Sequence, residues 1–257
     1  MSLVEYNVSD RIATITLNRA EKRNALNGAM VAALHEAFLR AANDEEAKVI
    51  ILKGNGKVFC AGADLEYLQE LQRNSYEDNL VDSNNLKDLY LAIYTNPKVV
   101  IAQVHGHAIA GGCGLATVCD FVYTVPEAGF GYTEVKIGFV PAIVKVFLLR
   151  RIGEGRAKEL LLTGEWIKAE KALQIGLVNK IAKPEELEKI VRDFALNLCA
   201  NNSGQSMALT KKMIAEIQSM DLQEATNYAA EMNAKARNTA DCKRGIAAFL
   251  NKEDLKW

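Results

Sequence analysis

Two short glycine-containing stretches and one acid hold the residue types that could do chemistry. Residues 99–120 read VVIAQVHGHAIAGGCGLATVCD. The run Val99-Val100-Ile101-Ala102 has the pattern of a buried strand. Gly106 permits a turn, and Ala110-Gly111-Gly112 leads into a short apolar helix predicted over residues 113–118. Small residues at a helix start let a ligand approach the backbone, and the first amides of a helix have no partner inside it. The stretch therefore predicts a donor site for negative charge, against the alternative of tight helix–sheet contact. A similar order occurs earlier: Lys48-Val49-Ile50-Ile51 matches Lys98-Val99-Val100-Ile101 at an offset of 50 residues, and Ala61-Gly62-Ala63 then stands where Ala110-Gly111-Gly112 does. If the two units are neighbours, their helix starts aim amides at one point. Two such donors form an oxyanion hole, and losing one typically costs about 10²–10³ in rate. In residues 130–135, FGYTEV, Glu134 is the one acid in an apolar setting. A buried carboxylate has a raised pKa and can serve as general acid or base. The plainer alternative is that Glu134 caps a helix start or pairs with Lys136.

Other reactive residue types read as structural. Gly54-Asn55-Gly56-Lys57 lacks the glycine spacing of a phosphate loop, and Val58 follows the lysine. His105 and His107 share a face if extended, but three histidines in the whole chain (with His35) make no metal site, and none is expected. Cys113 stands at a helix start, where a thiolate would be favoured, yet it and Cys119 read as small buried residues. Asp64 is expected to cap the helix starting near Leu65, and Asp120 to fix a helix-to-strand turn.

The elements that must position these groups follow from periodicity. Val4-Tyr6-Val8 and Ile12-Thr14-Thr16 alternate like two strands about Ser9-Asp10. Residues 19–27 read as a polar loop, and residues 28–42 as a helix. Strands are expected at 48–53, 121–125 and 177–181. Helices are expected from Leu65 through Leu71, up to Tyr94 before Pro97, and over 153–163 and 169–174; residues 74–85 read as a mobile polar loop. Beyond Pro184 four apolar stripes at helical spacing follow one another without strands. They predict an appendage that covers the core or another subunit.

Composition narrows the classes. The chain has 257 residues, 49% of them hydrophobic, enough for one large domain with an appendage. Lys plus Arg is 31 and Asp plus Glu is 32, for a net charge of −1 with no like-charge block, so a nucleic-acid surface is not expected. No apolar run approaches the ~20 residues of a membrane span. The N-terminus lacks a secretory pattern, and five cysteines without paired spacing suit a reducing, cytoplasmic setting.

With these motifs in order, the chain resembles the crotonase superfamily, the enoyl-CoA hydratases and isomerases, along nearly its whole length. The matching stretches are ITLNRAEKRNALN (15–27), FCAGADL (59–65), HGHAIAGGCGLATVCD (105–120), FGYTEVKIGFVP (130–141), AKELLLTGE (157–165), ALQIGLVNK (172–180) and GIAAFLNK (245–252). The resemblance implies an α/β fold: a core of repeated ββα units over residues 1–195 and a C-terminal helical region over 196–257 that helps form trimers, often paired into hexamers. It implies an acyl-CoA thioester as substrate and no further cofactor. The amides of Ala63 and Gly111 would hold the thioester oxygen and Glu134 would move the proton. Lys22, Arg23, Ala25, Ala61, Asp64 and Leu65 would line the coenzyme A site, with Lys252 of a neighbouring subunit as a further cation.

One departure matters. Two-acid hydratases carry a first glutamate where this chain has Gly114, 20 residues before Glu134. That leaves one acid, which suits an isomerase shifting a double bond from position 3 to position 2. Yet residues 133–144, TEVKIGFVPAIV, are similar to a bacterial branch assigned as methylglutaconyl-CoA hydratases of leucine breakdown, many of which also have this glycine. The expectation is a hydratase of a short or branched 2-enoyl-CoA, with Tyr132, Glu66, Asp78 or a substrate carboxylate helping with water. The alternatives are the isomerase and an acyl-CoA-binding protein with little chemistry.

Overall fold

A computed structural model describes residues 2–257. The alternating stretches at the N-terminus form β1 (Val4–Ser9) and β2 (Ile12–Leu17), an antiparallel pair that turns through Asp10 and Arg11, both at positive φ. The polar loop holds a 3-10 turn, Ala20–Lys22. Asn27 then caps α1 (Gly28–Asn43) by accepting from Met30 N–H. The helix buries Met30, Leu34, Phe38 and Ala41 on one stripe.

Strand β3 (Val49–Gly54) leads to α2 (Leu65–Leu71) and α3 (Tyr76–Tyr94). Here the sequence expectation is corrected, because residues 76–85 are helical and not a loop. Ser75 caps α3 by accepting from Asp78 N–H, and Glu77 and Asp78 complement the positive end of the helix. Only Leu89, Tyr90 and Ile93 are buried, all in the second half. The first half faces outward and needs no apolar stripe, so periodicity could not show it.

Strand β4 (Val99–Val104) pairs parallel with β3, Val49 beside Val99 and Leu52 beside Ala102. The partners are 50 residues apart, so the offset read from the sequence is the register of the sheet. After β5 (Ala108–Ile109) come α4 (Gly111–Thr117), β6 (Phe121–Thr124) and β7 (Gly129–Gly131). Helix α5 (Val144–Thr163) is broken at Gly153, whose φ of 76° and ψ of 162° are not helical. β8 (Ile167–Lys168), α6 (Ala169–Gln174) and β9 (Lys180–Ile181) complete the core. The main sheet has the order β1-β2-β3-β4-β6-β9, parallel beyond β1, and β5, β7 and β8 form a second sheet. This is the α/β fold expected.

Helix α7 (Pro184–Asn201) lies against β2, β3, β4 and β6 and buries Leu187, Val191, Ala195 and Leu198. It runs unbroken across residues 195 and 196, and from Pro184 onward the chain is helical without strands, as the apolar stripes predict. Then follow α8 (Gly204–Glu216), α9 (Leu222–Arg237) and α10 (Ala240–Asn251). α9 and α10 bury only Met232 and Ala248, while Leu222, Ile246, Phe249 and Leu250 are exposed. No helix among the described residues is long and apolar enough to cross a membrane.

One ion pair ties the helical region to the sheet. Lys211 on α8 donates to Asp120 Oδ2 at 2.7 Å, Lys98 O at 3.0 Å and Ile93 O at 3.3 Å. Asp120 Oδ2 also accepts from Val100 N–H at 2.7 Å. Asp120 thus joins the end of α4 to β4, as expected, and anchors α8 as well. Burial pushes its carboxyl pKa up, while Lys211 pulls it down. Lys211→Met keeps the volume and strands the carboxylate. A loss of about 3 kcal/mol is expected, the low end for breaking a buried pair. Urea unfolding checks this, and an unchanged midpoint would show that the pair contributes nothing.

Candidate active site

The two glycine stretches of the sequence are brought side by side. Cys60 pairs with Ala108: its N–H donates to His107 O at 3.2 Å, and its carbonyl accepts from Ile109 N–H at 3.0 Å. Leu26 pairs with Ala63, its N–H donating to Gly62 O at 2.7 Å while Asp64 N–H donates to Leu26 O at 2.8 Å. The approach leaves no room for side chains. Gly62 has φ +87°, and a Cβ there would lie 2.8 Å from Ala110 Cβ and 3.3 Å from Gly111 N. A Cβ on Gly112 would meet Cys60 O at 2.2 Å. Ala110 itself takes φ 51°, ψ −125°, a strained conformation for a residue with a side chain. As a result the Ala63 and Gly111 amides, neither of which donates to a backbone carbonyl, lie on adjoining segments. Ala63 is exposed and Gly111 is half-buried.

Glu134 is tied to the same construction. Ala110 N–H donates to Gly131 O at 2.7 Å, and Glu134 follows three residues later at the start of a 3-10 turn. Its residue is 8% exposed, and Oε2 has no hydrogen-bond partner. Lys136 pairs with Glu165 instead, so the alternative of a Glu134–Lys136 pair does not hold. Burial pushes the Glu134 pKa up. Its charge is close enough to act on Tyr90 and Cys113. Tyr90, fully buried, donates from Oη to Gly111 O at 2.7 Å and so holds the residue that carries the second amide.

Position 114 is filled from outside α4. A Cβ on Gly114 would lie 2.3 Å from Val144 Cγ1 and 3.0 Å from Tyr90 Oη. None of the side chains considered as substitutes for the acid absent there is free. Tyr132 is fully buried and shares a 2.7 Å hydrogen bond with Thr117 Oγ1. Glu66 is held by Lys22 at 2.8 Å, and Asp78 by Ser75 Oγ at 2.7 Å. Each of the three thus has a partner in this structure, Tyr132 in the core and Glu66 and Asp78 at the surface.

The residues expected at coenzyme A lie around the Ala63 side. Lys22 is half-exposed and paired with Glu66, and Arg23 is exposed at φ 54°. Ala25 is buried, Ala61 N–H donates to Arg23 O, and Leu65 is 70% exposed. Asp64 caps α2 through Glu66 N–H and pairs with Arg19 at 2.7 Å, so its side chain is committed to the loop. Lys252 ends α10, away from this group in the chain. Sequence reasoning missed four residues: Arg19, Asn24, Tyr90 and Val144. Asn24, at φ 55°, donates from Nδ2 to Asn55 O, Val58 O and Phe59 O and pins the early loop to the first glycine stretch. A polar residue in a polar loop gives no such signal. Tyr90 lies in the half of α3 that was expected, but its contact with Gly111, 21 residues on, leaves no local signal.

Two alternatives fall away. His105 Nε2 contacts Gly56 O at 3.0 Å, whereas His107 Nδ1 accepts from Gly129 N–H at 2.9 Å and stacks near Trp166, so the two do not converge as a ligand pair. Burial pushes the Cys113 and Cys119 thiols up to about 12, the reverse of an activated nucleophile. A cavity of about 780 Å³ lies between α5 and α8 beside the Lys211–Asp120 pair, and neither Glu134 nor the two amides line it.

The family profile for enoyl-CoA hydratase/isomerase matches residues 7–257. A Thermus thermophilus protein provisionally named an enoyl-CoA hydratase is 42% identical over 246 residues, covering 96% of this chain and 97% of its own. The short-chain-enoyl-CoA hydratase of Clostridium acetobutylicum is 33% identical, covering 96% and 94%. The crystal structure of an enoyl-CoA hydratase from Mycobacterium smegmatis superposes with a TM-score of 0.91 at 32% identity, covering 99% of this chain and 98% of that one.

The raised pKa of Glu134 fixes the sign of a pH effect. A group that binds its proton more tightly when folded adds stability below its unfolded value and loses it as pH rises through the folded value. Compared with Glu134→Gln, wild type should therefore lose ground between the ordinary glutamate value of 4.5 and neutral pH. Melting curves of both proteins from pH 4 to 7.5 test this, and a difference independent of pH would mean that Glu134 is solvated.

Proposed function

The chain belongs to the enoyl-CoA hydratase/isomerase family, and we propose that it adds water to a short or branched 2-enoyl-CoA, with Glu134 as the single acid–base group. What supports this is one arrangement: a buried carboxylate whose Oε2 has no partner, anchored through Gly131 and Ala110 to two amides without a backbone acceptor. Ala63 and Gly111 N–H donate to the thioester oxygen. Water adds its oxygen to C3 as the Glu134 carboxylate takes a water proton. The electron pair of the double bond moves onto the thioester, whose enolate oxygen the two amides stabilise. Protonated Glu134 then returns the proton to C2, which completes the 3-hydroxyacyl thioester. The atoms balance with no redox step, so the substrate's own coenzyme A is the only organic cofactor required. Arg23 and Lys22 at the rim supply positive charge for its phosphates.

A second reading has its own observation. Val144 closes the space where a first acid would stand. The same Glu134 could take a proton from C2 of a 3-enoyl-CoA and return it to C4, giving the 2-enoyl isomer through the same enolate. A binding protein with little chemistry would have no use for an unpaired buried carboxylate, which burial makes costly.

The assay offers crotonyl-CoA, 3-methylglutaconyl-CoA and a 3-enoyl-CoA separately to wild type and Glu134→Gln. The expected outcome is a hydrated product from wild type and a loss of about 10²–10⁴ in rate for the variant. The acid limb of wild-type kcat/KM should lie above the ordinary glutamate range, since Glu134 must start as a carboxylate. A shifted double bond without water would assign the isomerase; binding without turnover would end both readings.

The helical region is proposed to assemble the chain into a trimer or a dimer of trimers. Ile246, Phe249 and Leu250 form one exposed face of α10 at 56%, 84% and 73% exposure. Apolar groups left in water together mark an interaction surface. Phe249→Asp should lower the mass measured by light scattering; an unchanged mass would move the interface elsewhere.

A further inference from the structure

The space at position 114 is closed by a residue from a distant part of the chain. Val144 opens α5, three residues after Pro141, and is 4% exposed. Its Cγ1 occupies ground only 2.3 Å from where a Cβ on Gly114 would stand, and its Cβ is 3.1 Å away. Tyr90 forms the other wall, with Oη 3.0 Å from the same point and committed to Gly111 O. Tyr90 in turn packs at a tilt against Phe147, ring centroids 6.0 Å apart, one turn along α5 from Val144. A carboxylate at position 114 therefore cannot be restored by changing residue 114 alone.

We infer that Val144 is the specificity-determining residue of this site: by filling the side-chain space at Gly114 it restricts the proton chemistry to the one carboxylate, Glu134. The inference rests on the proposed reaction only for the meaning of its product, because the steric part concerns residues 114 and 144 alone. Position 144 would then decide whether a second acid can work here. A site with Val144 has a dry, apolar wall where a two-acid site would hold water between carboxylates. Removing Cγ1 and Cγ2 leaves the α5 backbone in place and opens that wall. Only then can a side chain grow from residue 114 toward the substrate.

A coupled set of variants tests this. Gly114→Ala should lower the melting temperature, and adding Val144→Ala should recover most of that loss; this pair makes the smallest change and is expected to fold. If Gly114→Ala is neutral, or Val144→Ala does not offset it, the steric claim is overturned. Gly114→Glu with Val144→Ala should then hydrate crotonyl-CoA about 10²-fold faster than Gly114→Gln with Val144→Ala, the scale of one positioned acid–base group. The gain should appear in kcat, and a second ionisation should enter its pH profile. Equal rates for the Glu and Gln double variants, both folded, would overturn the assignment. So would a Gly114→Glu single variant as fast as the double. If wild type hydrates nothing and the Glu double variant does, the hydratase reading fails while the inference stands.

Discussion

Everything at the site depends on two backbone segments being closer together than side chains allow. Residues 59–64 and 108–112 meet through the Cys60–Ala108 pairing, and Gly62 and Gly112 each stand where a Cβ would collide with the opposite strand. The contact is not there to bury apolar area, because glycines contribute almost none. It sets the segments that carry the Ala63 and Gly111 amides side by side and leaves both amides without a backbone acceptor. Such donors stabilise an oxyanion because they are fixed before the charge forms, so little reorganisation is required during reaction. The strained Ala110 and the unpaired amides cost stability locally. The parallel β3–β4 pair, buried on both faces, is what can carry that cost.

Glu134 is the second local cost, and it has the same origin. A carboxylate in water would have an ordinary pKa and would be a weak partner for a carbon acid. Held at 8% exposure with an unpartnered Oε2, it favours its proton more than usual. That preference is useful only if the group must give the proton back, as it must in both hydration and double-bond migration. Ion pairs elsewhere behave differently. Asp64, Asp120 and Glu66 all have cationic partners, and each contributes to the frame around the site. The contrast between paired and unpaired acids separates frame from chemistry more cleanly than residue type does.

Much of this was legible in the sequence because it is local and repeated. Apolar runs at 49–52 and 99–102 gave strands, and their common offset proved to be the pairing register. Glycines before short helices marked the two stretches that the fold brings side by side. What was hidden is long-range. Nothing near Asn24 indicates that its amide reaches three carbonyls at 55–59. Nothing near Val144 indicates that it fills the space of residue 114. The first half of α3 lacked an apolar stripe because it faces outward, and nothing near Tyr90 indicates that its hydroxyl reaches Gly111 O. Tyr132, Glu66 and Asp78 were plausible by type, but the partners each has in the fold are not visible in the sequence.

If Ala63 and Gly111 form the oxyanion pair proposed, a single carboxylate makes hydration and double-bond migration close neighbours. In the mechanism proposed, both pass through an enolate held by the same two amides, and both need one group that accepts and returns a proton. They differ in what stands beside C3 and C4. If a water lies within reach of Glu134, the proton comes from it and oxygen adds to C3; if the chain folds its C4 there instead, the proton moves along carbon. A second acid would settle the matter by anchoring the water. Here its place is taken by the methyl groups of Val144, so the choice falls to the shape of the acyl chain and to what it leaves room for beside Glu134. A short or branched acyl group that stops at C4 would leave that room for water, which is why the missing acid and the proposed substrate class belong to one argument.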